Sequence, residues 1–88
     1  MSSPTTFAGR PAMLLRRRVA TYFTGGAEAI PTLVRALEGA LVHELSVDVK
    51  DGVRESSMVC AVLLGGDEIE ALLDQLRALP AVVSAELA

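Results

Sequence analysis

The stretch Val59-Cys60-Ala61-Val62-Leu63-Leu64-Gly65-Gly66-Asp67-Glu68-Ile69 decides how the 88-residue chain is read. Six apolar residues in a row leave no alternate position for water, so the run reads as the second half of a strand, Val53 to Leu64, buried on both faces and central in a sheet. Two glycines then break it. Asp67 is a good N-cap, Glu68 and Glu70 suit the positive end of a first helical turn, and Ile69, Leu72, Leu73, Leu76 and Leu79 make an apolar stripe at helical spacing. Pro80 stops that helix, and Val82 to Leu87 makes a last short strand.

Upstream of the central strand, Asp51-Gly52 signals a hairpin, since both residues tolerate positive φ. Before it, Leu41, His43, Leu45, Val47 and Val49 alternate with Val42, Glu44, Ser46, Asp48 and Lys50, the period of a strand with one wet face. Gly39 closes a helix carrying Ile30, Leu33, Val34 and Leu37, with Pro31 tolerated in its first turn. Thr24-Gly25-Gly26 separates that helix from the first strand, Met13 to Thr24, and Thr24 or Glu28 is expected to cap it. Val19, Thr21 and Phe23 share one face of this strand and Ala20 and Tyr22 the other, so it too reads as central.

The element order is strand, helix, strand, strand, helix, strand. Two right-handed crossovers of this kind give an α+β, ferredoxin-like βαββαβ sandwich: an antiparallel sheet of order 4-1-3-2 with two helices on one face. The two strands in the middle of that order are the two with apolar residues on both sides. One sheet face stays bare and two edges stay unpaired, which favours a homodimer through an edge.

Composition bounds the function. A chain of this length buries only about 60% of the surface its unfolded form exposes. With Phe7, Tyr22 and Phe23 the only aromatic residues, its core must come from Ala, Val, Leu and Ile. The run Val59 to Leu64 is far short of the roughly 18 apolar residues of a membrane span. The lone Cys60 has no intrachain partner, which indicates a reducing compartment and a cytoplasmic location. Met1 to Ala12 lacks a signal-peptide core and is expected to be a disordered leader to a domain spanning residues 13–88. From Val19 onward four basic residues face eleven acids, a net charge of −7 that disfavours nucleic acid as a partner. Arg16-Arg17-Arg18 is read as the solvated start of a strand, with a local anion patch as the alternative.

No constellation of residues points to catalysis, a metal or a cofactor. His43 stands alone and is expected to pack with Leu41 and Leu45; Ser56 and Ser57 have no base near them in sequence. Cys60, between Val59 and Ala61, reads as an inert buried thiol. A copper-carrying CxxC is missing, the middle strands offer only Tyr22 and Phe23 for base stacking, and the loop Thr24 to Ala27 has the glycines of a phosphate cradle without its arginine. That loop remains the best candidate site, because glycines let backbone amides approach a ligand; a plain tight turn is the competing reading.

The stretch Gly39-Ala40-Leu41-Val42-His43-Glu44-Leu45-Ser46-Val47 resembles the Gly-(Val/Ile/Phe)-Asn-(Ile/Val)-x-x-Leu-x-Val start of the second strand in ACT domains. Glu70 to Pro80 and Val82 to Leu87 are similar to that family's closing helix and strand, and the resemblance covers about Arg16 to Ala88. Within it, the short regulatory subunits of acetolactate synthase and the ACT-like C-terminal domain of the MgtC family look most alike. The resemblance implies a non-catalytic, dimeric regulatory domain that binds an amino acid or other small metabolite at a dimer interface and modulates a partner enzyme or transporter in trans. It implies ligand-binding residues Thr24, Gly25, Gly26 and Ala27 in the first loop and Leu41, Val42 and His43 at the start of a neighbour's second strand. Two positions depart from the pattern: the loop lacks the family's aspartate, and Leu41 replaces the frequent asparagine. A ligand-free interaction and dimerisation module is the alternative.

Overall fold

A computed structural model of the chain describes residues 14–50 and 55–88. The expected leader and the Asp51-Gly52 hairpin lie outside them. The elements are β1 (Leu14–Phe23), α1 (Ile30–Ala36), β2 (Leu41–Asp48), β3 (Ser56–Gly65), α2 (Glu68–Arg77) and β4 (Val82–Leu87). Every pairing is antiparallel and the sheet runs β2-β3-β1-β4, the expected order seen from its other edge.

β1 and β3 pair along their whole length, from Leu14 opposite Gly65 to Phe23 opposite Ser56. Their helix-covered side holds Val19, Phe23, Met58, Cys60, Val62 and Leu64, packed against Leu33 and Leu37 near α1 and Ile69, Leu72, Leu73 and Leu76 of α2. Alternation puts Ala20, Tyr22, Ser57, Val59, Ala61 and Leu63 on the other side, where none of the described helices lies. Ala20 and Ala61 are nonetheless buried, because small side chains in the middle of a sheet are covered by longer neighbours. Thr21 is buried on the helix side, and its Oγ1 has no hydrogen-bond partner.

Both helix starts differ from expectation. The chain passes through a 3-10 turn, Gly26–Ala29, before α1, so Ala29 occupies the cap position and neither Thr24 nor Glu28 caps the helix. α1 is left with seven residues, and Val34, expected in its buried stripe, is 41% exposed. At α2, Asp67 makes no side-chain cap; Glu68 Oε1 instead accepts the Gly65 N–H at 2.8 Å. The far end of α2 is fastened to the sheet by Arg77, whose Nε donates to the Ala85 carbonyl at 2.9 Å.

β2 departs furthest from its sequence pattern. Its pairing with β3 slips between Val42 and Glu44, so His43 is the extra residue of a bulge. Leu45 and Val47 keep their place on the helix side, opposite Cys60 and Met58, but Leu41 now lies opposite Leu63 on the bare side and Val42 opposite Val62 on the helix side. His43 is exposed, not packed between Leu41 and Leu45. Nor does β2 have a dry face, since only Val47 is half-buried along it. It is an edge strand, and the short α1 leaves Val42 and Leu45 in water.

Candidate functional site

The loop after β1 is shaped by its two glycines. Gly25 has φ +95° and Gly26 φ +62°, left-handed values that L side chains rarely adopt, and together they turn the chain from β1 into the 3-10 turn. Thr24 is fixed to the turn before β4: its N–H donates to the Ala81 carbonyl at 2.8 Å, and its Oγ1 reaches the same oxygen at 3.4 Å. Ala27 is exposed. Gly26 faces the residue that follows β2, since a Cβ placed there would lie 3.9 Å from Cγ1 of Val49.

Leu41, Val42 and His43 sit elsewhere. Gly39, with φ +93°, turns the chain from α1 toward β2, whose first residues lie beside Leu63 and Val62 near the opposite end of the sheet. Leu41 stands level with Arg16 on β1 and the loop follows Phe23, so seven residues of strand separate the two groups. At about 3.3 Å per residue that is roughly 23 Å. One copy of the chain does not bring them together.

A feature not anticipated from sequence adjoins the loop. Ala29, Thr32, Leu33, Leu79, Pro80 and Ala81 line a mainly apolar cleft of about 210 Å³ between α1 and the turn before β4. Its traces in the sequence are faint: a small residue three positions before Thr32, and a proline that interrupts the second apolar stripe. Ala81, whose carbonyl holds Thr24, forms part of its wall.

Thr21 Oγ1 aside, no side-chain polar atom among the described residues is buried without a hydrogen-bond partner. Ser56 is buried and its Oγ accepts the Lys50 N–H at 2.9 Å, while Ser57 is half-buried on the bare face. Cys60 is buried between the sheet and the helices, and desolvation pushes its thiol pKa up, which favours the unreactive protonated form. Arg16 and Arg18 both approach Glu44 Oε1, at 3.5 and 3.8 Å, across the bare face. Lys50 pairs with Asp48 at 3.1 Å, and Arg77 with Asp74 at 3.7 Å. Among the described residues no three His, Cys, Asp or Glu side chains converge to hold a metal ion, and no helix is long and apolar enough to cross a membrane.

No family model matches the sequence, and no curated protein matches it. Solved structures do match. The crystal structure of the ACT domain from GTP pyrophosphokinase of Chlorobium tepidum superposes with a TM-score of 0.73 at 13% identity, covering 86% of this chain and all of that one. The solution structure of the same domain gives 0.73 and 13%, with 85% of this chain and 86% of that one covered. The C-terminal domain of the MgtC protein from Mycobacterium tuberculosis gives 0.66 at 14% identity, covering 85% and 86%. The likeness is one of fold: the chain has the ACT-like βαββαβ architecture.

Proposed function

We propose that the chain is a non-catalytic regulatory domain that pairs with a second copy through the outer edges of β2. A small metabolite would sit between the Thr24–Ala27 loop of one copy and Leu41–His43 of the other. The observation that carries this reading is the position of β2. Its first residues are one half of the candidate site, and its last residues lead to Val49, against which the other half rests. Two β2 strands paired antiparallel about a two-fold axis set Leu41 of each copy beside Asp48 of its mate, next to that mate's glycine loop. One symmetric contact thereby makes two equivalent composite sites.

The exposed surface supports the same pairing. Among the described residues, Leu41, Val42, Leu45 and Val49, four of the eight exposed large hydrophobics, lie on or just after β2, and no strand pairs with the outer edge of β2. The ligand would be held by backbone amides of the loop and by the His43 imidazole, with an amino acid as the first class to test. The partner it regulates is proposed to be an enzyme or transporter in trans, in the cytoplasm. A ligand-free dimerisation module is the second reading, favoured by one observation: left-handed turning alone accounts for Gly25 and Gly26.

Sedimentation of the full chain and a titration with the twenty amino acids, followed by amide chemical shifts, test both readings. Dimerisation that is lost in Leu45→Asp, with saturable shifts confined to residues 24–27 and 41–44, is the expected result. A dimer with no responding amide favours the second reading, and a monomer at high micromolar concentration removes both.

A further inference from the structure

The cleft beside the glycine loop has the build of a pocket. Its floor is Ala29 and Leu33, both buried and both part of the hydrophobic core. Half-buried Leu79 and Ala81 pack against that core and form a wall, while the exposed Thr32 and Pro80 stand at the mouth. The two alanines leave the space open, since a larger side chain at either position would reach into it.

The wall is fastened along its length. The Leu79 N–H donates to the Leu76 carbonyl at 3.1 Å, the Val82 N–H to the Leu79 carbonyl at 3.0 Å, and the Ala81 carbonyl accepts the Thr24 N–H at 2.8 Å. Between these bonds the ring of Pro80 fixes its own φ. A pocket shaped before its ligand arrives spares the cost of ordering on binding.

We propose that this cleft is a binding site, complete within one copy of the chain, for a small uncharged molecule with a compact hydrocarbon body and one hydroxyl or carbonyl group. It lies between α1 and the turn before β4, needs no second copy, and goes beyond the reading above. Size, charge and polarity specify the occupant. An apolar cavity of about 150 Å³ takes benzene, so about 210 Å³ suits a molecule of roughly seven or eight non-hydrogen atoms. A helix, about 10 Å across with its side chains, does not fit. None of the six lining residues is charged, so an ion would give up its hydration for nothing. Thr32 carries the one side-chain hydroxyl among them, and it stands at the mouth, so the polar end of the ligand faces outward.

The test titrates the full chain, labelled in its methyl groups and amides, with benzyl alcohol, with toluene, and with benzylammonium, which has the shape of benzyl alcohol and a charge. Saturable shifts are expected at Ala29, Leu33, Leu79 and Ala81, and at the Thr24 amide that holds the Ala81 carbonyl, with the two uncharged probes alone. Thr32→Val keeps the shape and removes the hydroxyl; it should weaken benzyl alcohol about two- to tenfold and leave toluene unchanged. Ala81→Leu fills the space and should weaken both probes more than tenfold with Tm held or raised, and Thr32→Val decides the matter should that variant misfold. Three outcomes overturn the proposal: no saturable shift at residues 29–33 and 79–81; benzylammonium binding as well as benzyl alcohol; or benzyl alcohol binding unchanged in Thr32→Val and in a folded Ala81→Leu.

Discussion

Replacing Gly25 by alanine isolates a single physical term. An alanine Cβ would meet nothing closer than the Cβ of Ala29 at 3.9 Å, an ordinary van der Waals contact, so no clash contributes. The cost is conformational: φ is +95°, and holding an L-residue in the left-handed region costs about 1–2 kcal/mol. Alanine also restricts the unfolded chain, which offsets about 0.4–1 kcal/mol. The strain wins, and the net loss is about 1 kcal/mol. For a domain of this size that lowers Tm by roughly 4–8 °C. Gly66 supplies the control, because its φ is not positive and a Cβ there would lie 3.9 Å from Cδ1 of Leu15. Gly66→Ala should be neutral or slightly stabilising, since only the unfolded-state effect remains. Urea and thermal unfolding of the two variants at equal protein concentration decide the matter. A neutral Gly25→Ala beside a destabilised Gly66→Ala would refute the turn geometry, and with it the assignment of the loop's glycines to backbone shape.

Thr21→Val should stabilise the domain by about 1 kcal/mol in urea unfolding, because the swap keeps the shape and removes a buried hydroxyl that lacks a partner; a loss of stability would mean that the hydroxyl is satisfied. Glu68→Ala should cost about 0.5–1 kcal/mol through the lost bond to the Gly65 amide, whereas Asp67→Ala should change little, the reverse of what the cap position alone suggests. Burial raises the Cys60 pKa above its ordinary 9.0, so this thiol makes stability independent of pH below about 9 and lowers it as pH rises from there through the raised value, where the unfolded chain ionises first. A Cys60→Ala variant should flatten that alkaline slope, and a disulfide reagent at pH 8 should label native wild-type protein only at the rate of unfolding.

How much of this was legible in advance differs between the sheet and the site. β1 and β3 were readable as central strands because Val19, Ala20, Phe23 and the run Val59 to Leu64 leave no wet face, and burial of both faces has no other simple cause. Once those two are central, crossover handedness orders the rest. The candidate residues Thr24–Ala27 and Leu41–His43 were readable only as a resemblance. The chemistry proposed for them is mostly backbone, and backbone amides look alike in every sequence.

Periodicity and glycine placement therefore determined the fold class, the strand order, and the extents of β4 and α2 to within a residue or two. Tertiary structure alone decided the bulge at His43, the shift of Leu41 to the bare face, and the replacement of Asp67 by Glu68 at the helix start. The reason is common to all three. A bulge and a cap depend on which residues stand beside one another in space, and a one-dimensional pattern records only neighbours along the chain. The same limit hid the distance between the two halves of the candidate site. They are 14 residues apart in sequence, from Ala27 to Leu41, and at opposite ends of a strand in space.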